Sequence, residues 1–406
     1  MTTSRAAAIA AAAWSVWQAL GRVARSLWNN PTIRSFLWQG LTLAALIGVI
    51  FYFVHNSLIN LQQQAIATGF GFLDKEAGFD ISESLVDYSP ASTYRRAFEA
   101  GLLNTLEVSA LGIILSTVLG VILGVSRLSP NWLLSRLALV YVEVVRNIPL
   151  LLQLLLLYSL LNVVVPIPRE AWQILPHVFL SKRGLFLPAP MADPSHFHVG
   201  IAFVIGLVAA YGTGRWARQR QDRTGRIFPT LAVGAGLILG LPIVTWLVLG
   251  APLQVSVPEL TGFNFTGGVS MSPELTALLA GLVIYTTAYI GEIVRGGILA
   301  VSHGQTEAAA ALGLKRGLVL RLVVLPQAIR IIVPPLTSQY LNLTKNSTLA
   351  VAIGFPEFFS VVHTAMNQTG QAIEGMACIM GAYLSISLVI SLLMNIYNAR
   401  IALKGR

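Results

Sequence analysis

Stretches of about 20 mostly apolar residues recur along this chain, and they constrain its fold more than any other feature. A helix of that length crosses a ~30 Å hydrocarbon layer and satisfies its own backbone hydrogen bonds there. The eight stretches are Phe36–Val54, Leu102–Val125, Leu133–Val165, Val199–Gly214, Phe228–Gly250, Leu275–Leu299, Ile331–Gly354 and Gly375–Asn398. The sequence therefore predicts an all-α, polytopic membrane bundle of about eight transmembrane helices.

The composition excludes other classes of protein. Only 11% of the 406 residues are charged, whereas a soluble domain carries roughly 25%. Intrinsic disorder requires low hydrophobicity and high charge, and 55% of this chain is hydrophobic. The single cysteine, Cys378, excludes an intramolecular disulfide and a cysteine-based metal cluster.

The basic residues predict an orientation for the bundle. With the N-terminus in the cytoplasm and eight alternating spans, 18 of the 27 Lys and Arg residues fall inside and 6 outside, and 3 lie in or near spans. Such an excess favours an even number of spans with both termini in the cytoplasm. The net charge of +10 is then spread over separate inner loops, so no nucleic-acid partner is expected.

Prolines and alanines mark irregular regions. Pro149 predicts a kink in the long third span, and Pro334 with Pro335 predicts an irregular turn at the start of the seventh. The N-terminal alanine-rich run, Ala6–Ala13, is followed by Trp14 and Trp17. No convincing cleavage site follows it, so we favour an interfacial or cytoplasmic helix over a signal peptide.

Two polar segments are expected as outer loops, at Asn56–Ala100 and at residues 166–198. His196 and His198 have spacing compatible with metal binding, but an ordinary loop is the preferred interpretation, and no metal site is predicted.

Small residues recur at helical spacing in two spans, as Gly112, Ser116, Gly120 and Gly124 in the second and as Gly236 and Gly240 in the fifth. Small residues on one face let helix backbones approach closely. Both sets predict helix packing.

Motifs for catalysis are missing from the sequence. A P-loop requires Lys followed by Ser or Thr, and none of the five lysines has such a neighbour. The sequence also lacks His-Glu-x-x-His and Gly-x-Ser-x-Gly. We therefore expect no enzyme, no catalytic residue and no cofactor bound by this chain.

Charges within the spans are candidates for function, because each costs about 2.5–3.5 kcal/mol at a helix centre. Glu143 and Arg146 are i, i+3 neighbours, and so are Glu292 and Arg295. Such pairs either neutralise each other near the inner ends of their spans or line a substrate path. Lys345, beside Asn346, lies deeper, and a substrate role for it is weighed equally against a structural ion pair.

The segment Glu307–Pro326 lies between spans six and seven on the predicted inner side. Its pattern favours a short helix with Glu307 in the first turn, a turn at Gly313 and Gly317, and a second short helix over Leu318–Leu325. The many apolar residues over Ala308–Leu314 are unusual for a loop in water and imply a partner that covers them.

Seven residues of this segment match a known pattern: Glu307, Ala308, Ala309, Gly313, Val323, Leu325 and Pro326. The pattern resembles the EAA loop of the permease subunits of bacterial ABC importers, with Val323 in place of isoleucine. In that family the loop is a coupling helix that docks on the ATPase subunit.

The flanking segments resemble the polar amino-acid branch of that family. They include Tyr289–Ile298, Asn342–Leu349 and Glu143–Gln153. Departures at Asn147-Ile148 and Asn346–Thr348 are similar to the general L-amino-acid permease subgroup. The resemblance covers residues ~98–165 and ~272–400, and these segments correspond to the family's five-helix permease core.

The resemblance implies four regions. Residues 1–97 hold an N-terminal cytoplasmic segment, the first span and a periplasmic loop; 98–165 form the first part of the core; 166–271 form an insertion with two spans; and 272–406 form the second part with the EAA coupling loop.

The resemblance also implies the machinery around this chain. It predicts a permease in the bacterial inner membrane that takes up amino acids, with broad specificity. Its partners would be a homologous second permease subunit, an ABC ATPase dimer that binds ATP with Mg, a periplasmic amino-acid-binding protein and the lipid bilayer. The alternative is a self-sufficient secondary transporter or channel for small polar solutes.

Overall fold

The computed structural model describes residues 14, 30–63, 69–191, 193–226, 228–250 and 255–401. The run Ala6–Ala13 and Trp17, for which an interfacial or cytoplasmic helix is predicted, lie outside the described residues. The chain divides into two compact units. One comprises Met1–Gly71 with Met366–Glu374, and the other comprises Phe72–Ala365 with Gly375–Arg406.

The first unit contains helix α1, Pro31–Gln63. The Oδ1 of Asn30 accepts a hydrogen bond of 3.0 Å from the backbone N–H of Thr32, so Asn30 caps the helix. The large apolar side chains between Phe36 and Val54 are exposed, as expected for a helix that contacts lipid. Within the same unit, Gly69 donates a 2.7 Å hydrogen bond to Glu374.

The other helices lie mostly in the second unit. They are α2 (Tyr94–Arg127), α3 (Trp132–Asn147), α4 (Leu150–Val163), α5 (Pro194–Thr224), α6 (Thr230–Ala235), α7 (Leu241–Val248), α8 (Pro273–Leu299), α9 (His303–Ala311), α10 (Arg316–Val319), α11 (Leu325–Asn346), α12 (Phe358–Thr369) and α13 (Ala372–Ile401). Segments Gly236–Gly240 and Leu320–Val324 are π-helical, and Phe70–Asp74, Pro168–Glu170 and Ser347–Ile353 are 3₁₀ helices.

Within the described residues, six helices are long and apolar enough to cross a membrane. The pair α3 and α4 makes a seventh span if the two are counted together. The predicted fifth span is represented by a shorter apolar helix, Ala232–Val248. The helical membrane bundle is therefore confirmed, whereas the predicted number of about eight is reached only if this shorter helix also crosses.

The kink predicted at Pro149 is confirmed, since α3 and α4 are bent by 103°. Proline lacks an N–H and disfavours helical geometry in the preceding residue, and Ile148 is indeed extended, at φ −101° and ψ 127°. The irregular turn predicted at Pro334 and Pro335 is wrong. Both prolines lie inside α11, because the fixed φ of proline is itself compatible with a helix.

The predicted loop at residues 166–198 instead forms strands and a helix start. Strands β1 (Trp172–Leu175), β2 (Val178–Ser181), β3 (Gly184–Leu187) and β8 (Val269–Met271) form an antiparallel sheet in the order β1-β2-β3-β8. Two two-stranded sheets pair β4 (Ala189–Pro190) with β5 (Val255–Ser256), and β6 (Glu259–Thr261) with β7 (Asn264–Thr266). The rings of Phe179 on β2 and Phe265 on β7 are stacked, with their centroids 4.7 Å apart.

His196 and His198 lie on α5 and not in a loop. The Nδ1 of His196 accepts a hydrogen bond of 3.3 Å from the backbone N–H of Asp193, so His196 takes part in capping this helix.

Close packing of α2 against α8 organises the core. A Cβ at Gly120 would lie 2.5 Å from Ile290, and one at Gly124 would lie 2.6 Å from the carbonyl oxygen of Gly291. The helix packing predicted for the second span is therefore confirmed. The same prediction is wrong for Gly236 and Gly240. A Cβ atom added at either glycine would have no atom of another described segment within 4 Å.

Candidate functional site

The segment that begins at His303 forms a helix–turn–helix at the end of α8. Helix α9 ends at Ala311, and Gly313 then adopts a φ of +76°. Non-glycine residues avoid this conformation by about 1–2 kcal/mol. The backbone N–H of Leu314 closes the turn with a 3.3 Å hydrogen bond to the carbonyl of Ala309. The turn predicted at Gly313 is confirmed.

The second half of this segment differs from the sequence prediction. Lys315 is extended and its carbonyl accepts hydrogen bonds from Leu318 and Val319, so the next helix begins at Arg316. Gly317 is therefore inside α10 and not in the turn. The predicted short helix over Leu318–Leu325 is not separate, because helical structure continues through Leu320–Val324 into α11.

Glu307 lies in the middle of α9, whereas the sequence predicted it in the first turn. The helix begins four residues earlier, at His303, so the carboxylate does not reach the free N–H groups of the helix start. Its Oε1 instead lies 2.9 Å from the Nδ1 of His303, and both side chains are exposed.

The seven motif residues separate into inner and outer positions. Ala309 is buried and packs with Val319 and Val324, with Val323 beside them. A small side chain at Ala309 lets α9 approach the segment that follows. Four further members are exposed, at Ala308, Gly313, Leu325 and Pro326. Leu312, which is not part of the motif, is 81% exposed.

A cleft of about 760 Å³ opens between α9 and the helical segment after the turn. It is lined by His303, Thr306, Ala310, Leu314, Arg316, Gly317, Val319, Leu320 and Val324. Leu318, Leu320 and Leu322 add exposed apolar surface. An apolar concave surface of this kind, rimmed by polar residues, is typical of a site for a partner.

A second, polar pocket of about 220 Å³ lies between α8 and α11. It is lined by Tyr285, Thr286, Tyr289, Gln339, Asn342, Leu343 and Asn346. The hydroxyl oxygens of Tyr285 and Tyr289 are 3.0 Å apart. The guanidinium carbon of Arg146 lies 5.1 Å from the centroid of the Tyr289 ring. Of the six candidate path residues, Asn346 lines this pocket, and Arg146 contacts Tyr289, which also lines it.

Glu292 and Arg295 form the ion pair that their spacing predicts. The Nε of Arg295 donates to Oε2 of Glu292 over 3.1 Å. Arg127, at the end of α2, also pairs with this carboxylate. The three side chains are 12–29% exposed, so this cluster is a partly buried link between α2 and α8.

Glu143 and Lys345 are placed differently. Both side chains are exposed, and no ion pair joins Glu143 to Arg146 in the part of the chain that the structure describes. Of the two alternatives for these residues, the structure does not show the neutralised i, i+3 pair, because Arg146 lies against Tyr289 instead. Lys345 does not line the pocket, although its neighbour Asn346 does. Its role stays a prediction.

Most residues of this pocket were not predicted from the sequence as candidates for a site. Its signal is a polar stripe on two spans, with tyrosines four residues apart at Tyr285 and Tyr289 and amides at Gln339, Asn342 and Asn346. These spacings put the side chains on one helical face. Arg127 lies beyond the predicted second span, Leu102–Val125, and the packing of α2 against α8 brings it to Glu292.

Comparisons with known proteins agree with these features. Residues 202–403 match the family described as binding-protein-dependent transport system inner membrane component. A putative amino-acid ABC transporter permease protein of Escherichia coli K12 is 48% identical, over 93% of this chain and 96% of that protein. A general L-amino acid transport system permease protein of Rhizobium johnstonii is 49% identical, over 94% of this chain and 96% of that protein. A glutamate/glutamine/aspartate/asparagine transport system permease protein of Rhodobacter capsulatus is 42% identical, over 93% of this chain and 96% of that protein. The resemblance indicated by the motif is thereby confirmed, and the chain belongs to the family of inner-membrane components of binding-protein-dependent transport systems.

Proposed function

We propose that this chain is the amino-acid permease subunit of an ATP-driven importer of broad specificity. A periplasmic binding protein delivers the amino acid, a homologous second permease completes the path, and an ATPase dimer supplies the energy. ATP with Mg binds to that ATPase, and this chain binds no cofactor. The chain lies in the bacterial inner membrane with both termini in the cytoplasm, as the arginine-rich inner loops favour.

The cleft beside α9 is the observation that carries this proposal. Most of its lining is apolar, and Leu312, between the lining residues Ala310 and Leu314 in the sequence, has 81% of its surface accessible. The chain has no P-loop of its own. A helix or loop of a separate ATPase would cover this surface, and movement of the ATPase would pass through α10 into α11, because helical structure is continuous there.

The exposed charges within the spans support a second permease subunit. Lys345, Glu143 and Arg146 are exposed in the single chain. A charge facing hydrocarbon costs about 2.5–3.5 kcal/mol at the centre of a span. These side chains therefore face a homologous partner or a water-filled path between the two subunits.

The polar pocket has the chemistry that an amino acid requires. A zwitterion needs groups of opposite polarity at its two ends. Arg146, stacked against Tyr289, offers a cation for a carboxylate. The side-chain oxygens of Gln339, Asn342 and Asn346 accept hydrogen bonds from an ammonium group.

The coupling role is tested by paired substitutions in the helix–turn–helix. Glu307→Lys combined with Gly313→Leu should abolish uptake and ATPase stimulation, because it reverses an exposed charge and strains the turn. Gly48→Ala is the control, since Gly48 is helical, has open space around it and lies on α1, outside the cleft and its helix–turn–helix. The measurements are amino-acid uptake, ATPase rate and membrane insertion of the complete transporter. Normal uptake by the double variant would refute the coupling role, and so would ATP-independent flux through the chain reconstituted alone.

The path is tested by Lys345→Met and Arg146→Gln, each assayed for uptake over the twenty amino acids. Arg136→Gln is the control, because Arg136 is exposed on the same helix as Arg146. Reduced rates or altered selectivity are expected for the two test variants. An unchanged uptake profile in both would refute their place on the path.

A further inference from the structure

Five arginines lie within twelve residues at the C-terminal end of α5: Arg215, Arg218, Arg220, Arg223 and Arg226. Only one acidic residue, Asp222, lies among them. The sequence predicted a loop here, but the helix continues to Thr224 and ends at Gly225, which has a φ of +66°. The arginines up to Arg223 are therefore held on a helix that extends directly from an apolar span.

Aromatic rings position several of these guanidinium groups. The guanidinium carbon of Arg215 lies 5.2 Å from the centroid of the Tyr211 ring. That of Arg220 lies 5.3 Å from the Trp216 ring, which packs edge-on against Phe228. Such contacts restrict the side chains without neutralising their charge.

A second helix adds a cation to the same ring. Arg400, near the end of α13, has its guanidinium carbon 5.9 Å from the Tyr211 centroid. Arg330 donates a 2.6 Å hydrogen bond to the carbonyl of Ile401, so the end of α13 is tied to α11. Arg215 and Arg400 thus converge from helices that are distant in sequence.

This pair of cations has no anionic partner in the part of the chain that the structure describes. The ion pairs there involve neither Arg215 nor Arg400, and both side chains are exposed, as is Tyr211. Both guanidinium groups contact the same ring, so their positive charges add to the potential around it. This local concentration of positive charge favours an external anion.

The position of the pair identifies the chemistry of that anion. Val204, Val208 and Tyr211 are exposed on the apolar part of α5 that precedes Arg215. Lipid tails that cover this apolar surface would place their headgroups beside the arginines, since basic residues at the end of a span attract anionic lipids. A guanidinium matches phosphate oxygens with two parallel hydrogen bonds.

We propose that Arg215, Arg400 and Tyr211 form a binding site for the phosphate headgroup of an anionic phospholipid, between the ends of α5 and α13. The two arginines bind the phosphate and the tyrosine hydroxyl donates to one of its oxygens. The bound lipid links the inserted helix α5 to α13, which belongs to the region of family resemblance.

The test uses the full-length chain purified with its co-expressed partner subunits. The complex is incubated with equal amounts of phosphatidylglycerol and phosphatidylcholine, and native mass spectrometry measures the lipids that it retains. The wild type should prefer phosphatidylglycerol. Arg215→Gln or Arg400→Gln should each lower this preference about fivefold, and the double variant about 25-fold, since one basic residue near an anionic surface is worth about 1 kcal/mol.

Arg136→Gln, which removes an exposed arginine elsewhere, should leave the preference unchanged. If the double glutamine variant fails to assemble, Arg215→Lys with Arg400→Lys keeps both charges and should give an intermediate preference, because lysine lacks the planar fork.

Three kinds of result would overturn the proposal. The first is a lipid preference that does not depend on Arg215 and Arg400: it is unchanged in the double glutamine variant, or Arg136→Gln lowers it by the same factor. The second is displacement of the lipid by inorganic phosphate at about 10 mM, which would identify a site for free phosphate. The third is loss of the ATPase subunit from the double variant with its lipid preference intact, which would identify a protein contact.

Discussion

The hydroxyl of Tyr383 on α13 donates a 2.8 Å hydrogen bond to Oε2 of Glu357, the residue immediately before α12. The carboxylate is fully buried, and its two oxygens also accept hydrogen bonds from the backbone N–H groups of Phe359 and Ser360, at 2.8 and 2.7 Å. Glu357 therefore caps α12 and connects it to α13.

The first prediction concerns the pH dependence of stability. Burial raises the pKa of Glu357 to about 7, from an ordinary value of 4.5. Between these values the carboxyl is protonated in the folded chain and ionised in the unfolded one, so unfolding releases a proton. The free energy of unfolding should therefore fall as pH rises from about 4.5 to 7, by at most about 3 kcal/mol from this group.

Glu357→Gln should flatten this decline, even though glutamine replaces one capping oxygen with an NH₂ group. Thermal unfolding of the purified permease across that pH range measures the slope. Glu76→Gln is the control, since Glu76 is exposed. If the free energy of unfolding of Glu357→Gln fell with pH as steeply as that of the wild type, Glu357 would not be the group that causes the decline.

The second prediction concerns Tyr383→Phe. Removing the hydroxyl leaves a buried carboxylate with one donor fewer and should lower the free energy of unfolding by about 1–3 kcal/mol. Because that hydrogen bond stabilises the ionised form, the pKa of Glu357 should rise further, so the decline in stability still begins near pH 4.5 but extends to higher pH. Tyr52→Phe, at an exposed site on α1, should have no such effect. Equal thermal stabilities for both variants would count against the Tyr383 contact.

The third prediction concerns the packing of α2 against α8. In Gly124→Ala the new methyl would lie 2.6 Å from the carbonyl oxygen of Gly291 and 2.7 Å from the Cβ of Val294. Overpacking of this kind costs about 1–3 kcal/mol, and thermal unfolding of the permease should report it. Gly48→Ala on α1 meets no atom within 4 Å and should be neutral. A neutral Gly124→Ala would mean that the helices separate easily there.

The fourth prediction concerns Glu292, the carboxylate that Arg127 and Arg295 share. Glu292→Gln leaves two partly buried guanidinium groups without their counter-charge and should destabilise the permease by about 1–3 kcal/mol. Glu143→Gln removes an exposed carboxylate outside any ion pair among the described residues and should change stability little. Equal losses of stability in both variants would show that the ion pairs of Glu292 with Arg127 and Arg295 do not stabilise the permease.

The span pattern was predictable because each membrane helix satisfies its own hydrogen bonds, so length and hydropathy alone mark it. The bend at Pro149 and the turn at Gly313 were predictable for a similar reason, since each depends on the backbone limits of one residue. The bounds of α5 and α11 were not predictable from the sequence. The arginines that end the apolar stretch of α5, and Pro334 and Pro335 in α11, are compatible with a helix when neighbouring segments stabilise it.

Local spacing was enough to predict a membrane protein of many helices, the EAA pattern with Glu307 and Gly313, and the neighbouring positions of Glu292 and Arg295 on one helix face. Tertiary packing alone brings Arg127 to the carboxylate of Glu292, Arg146 to Tyr289, and Arg215 and Arg400 to Tyr211. These contacts join residues far apart in the chain, and they depend on how the helices pack. Helix packing depends on the fit of whole faces, such as Gly120 and Gly124 against α8, and no single stretch of sequence specifies both partners of such a fit.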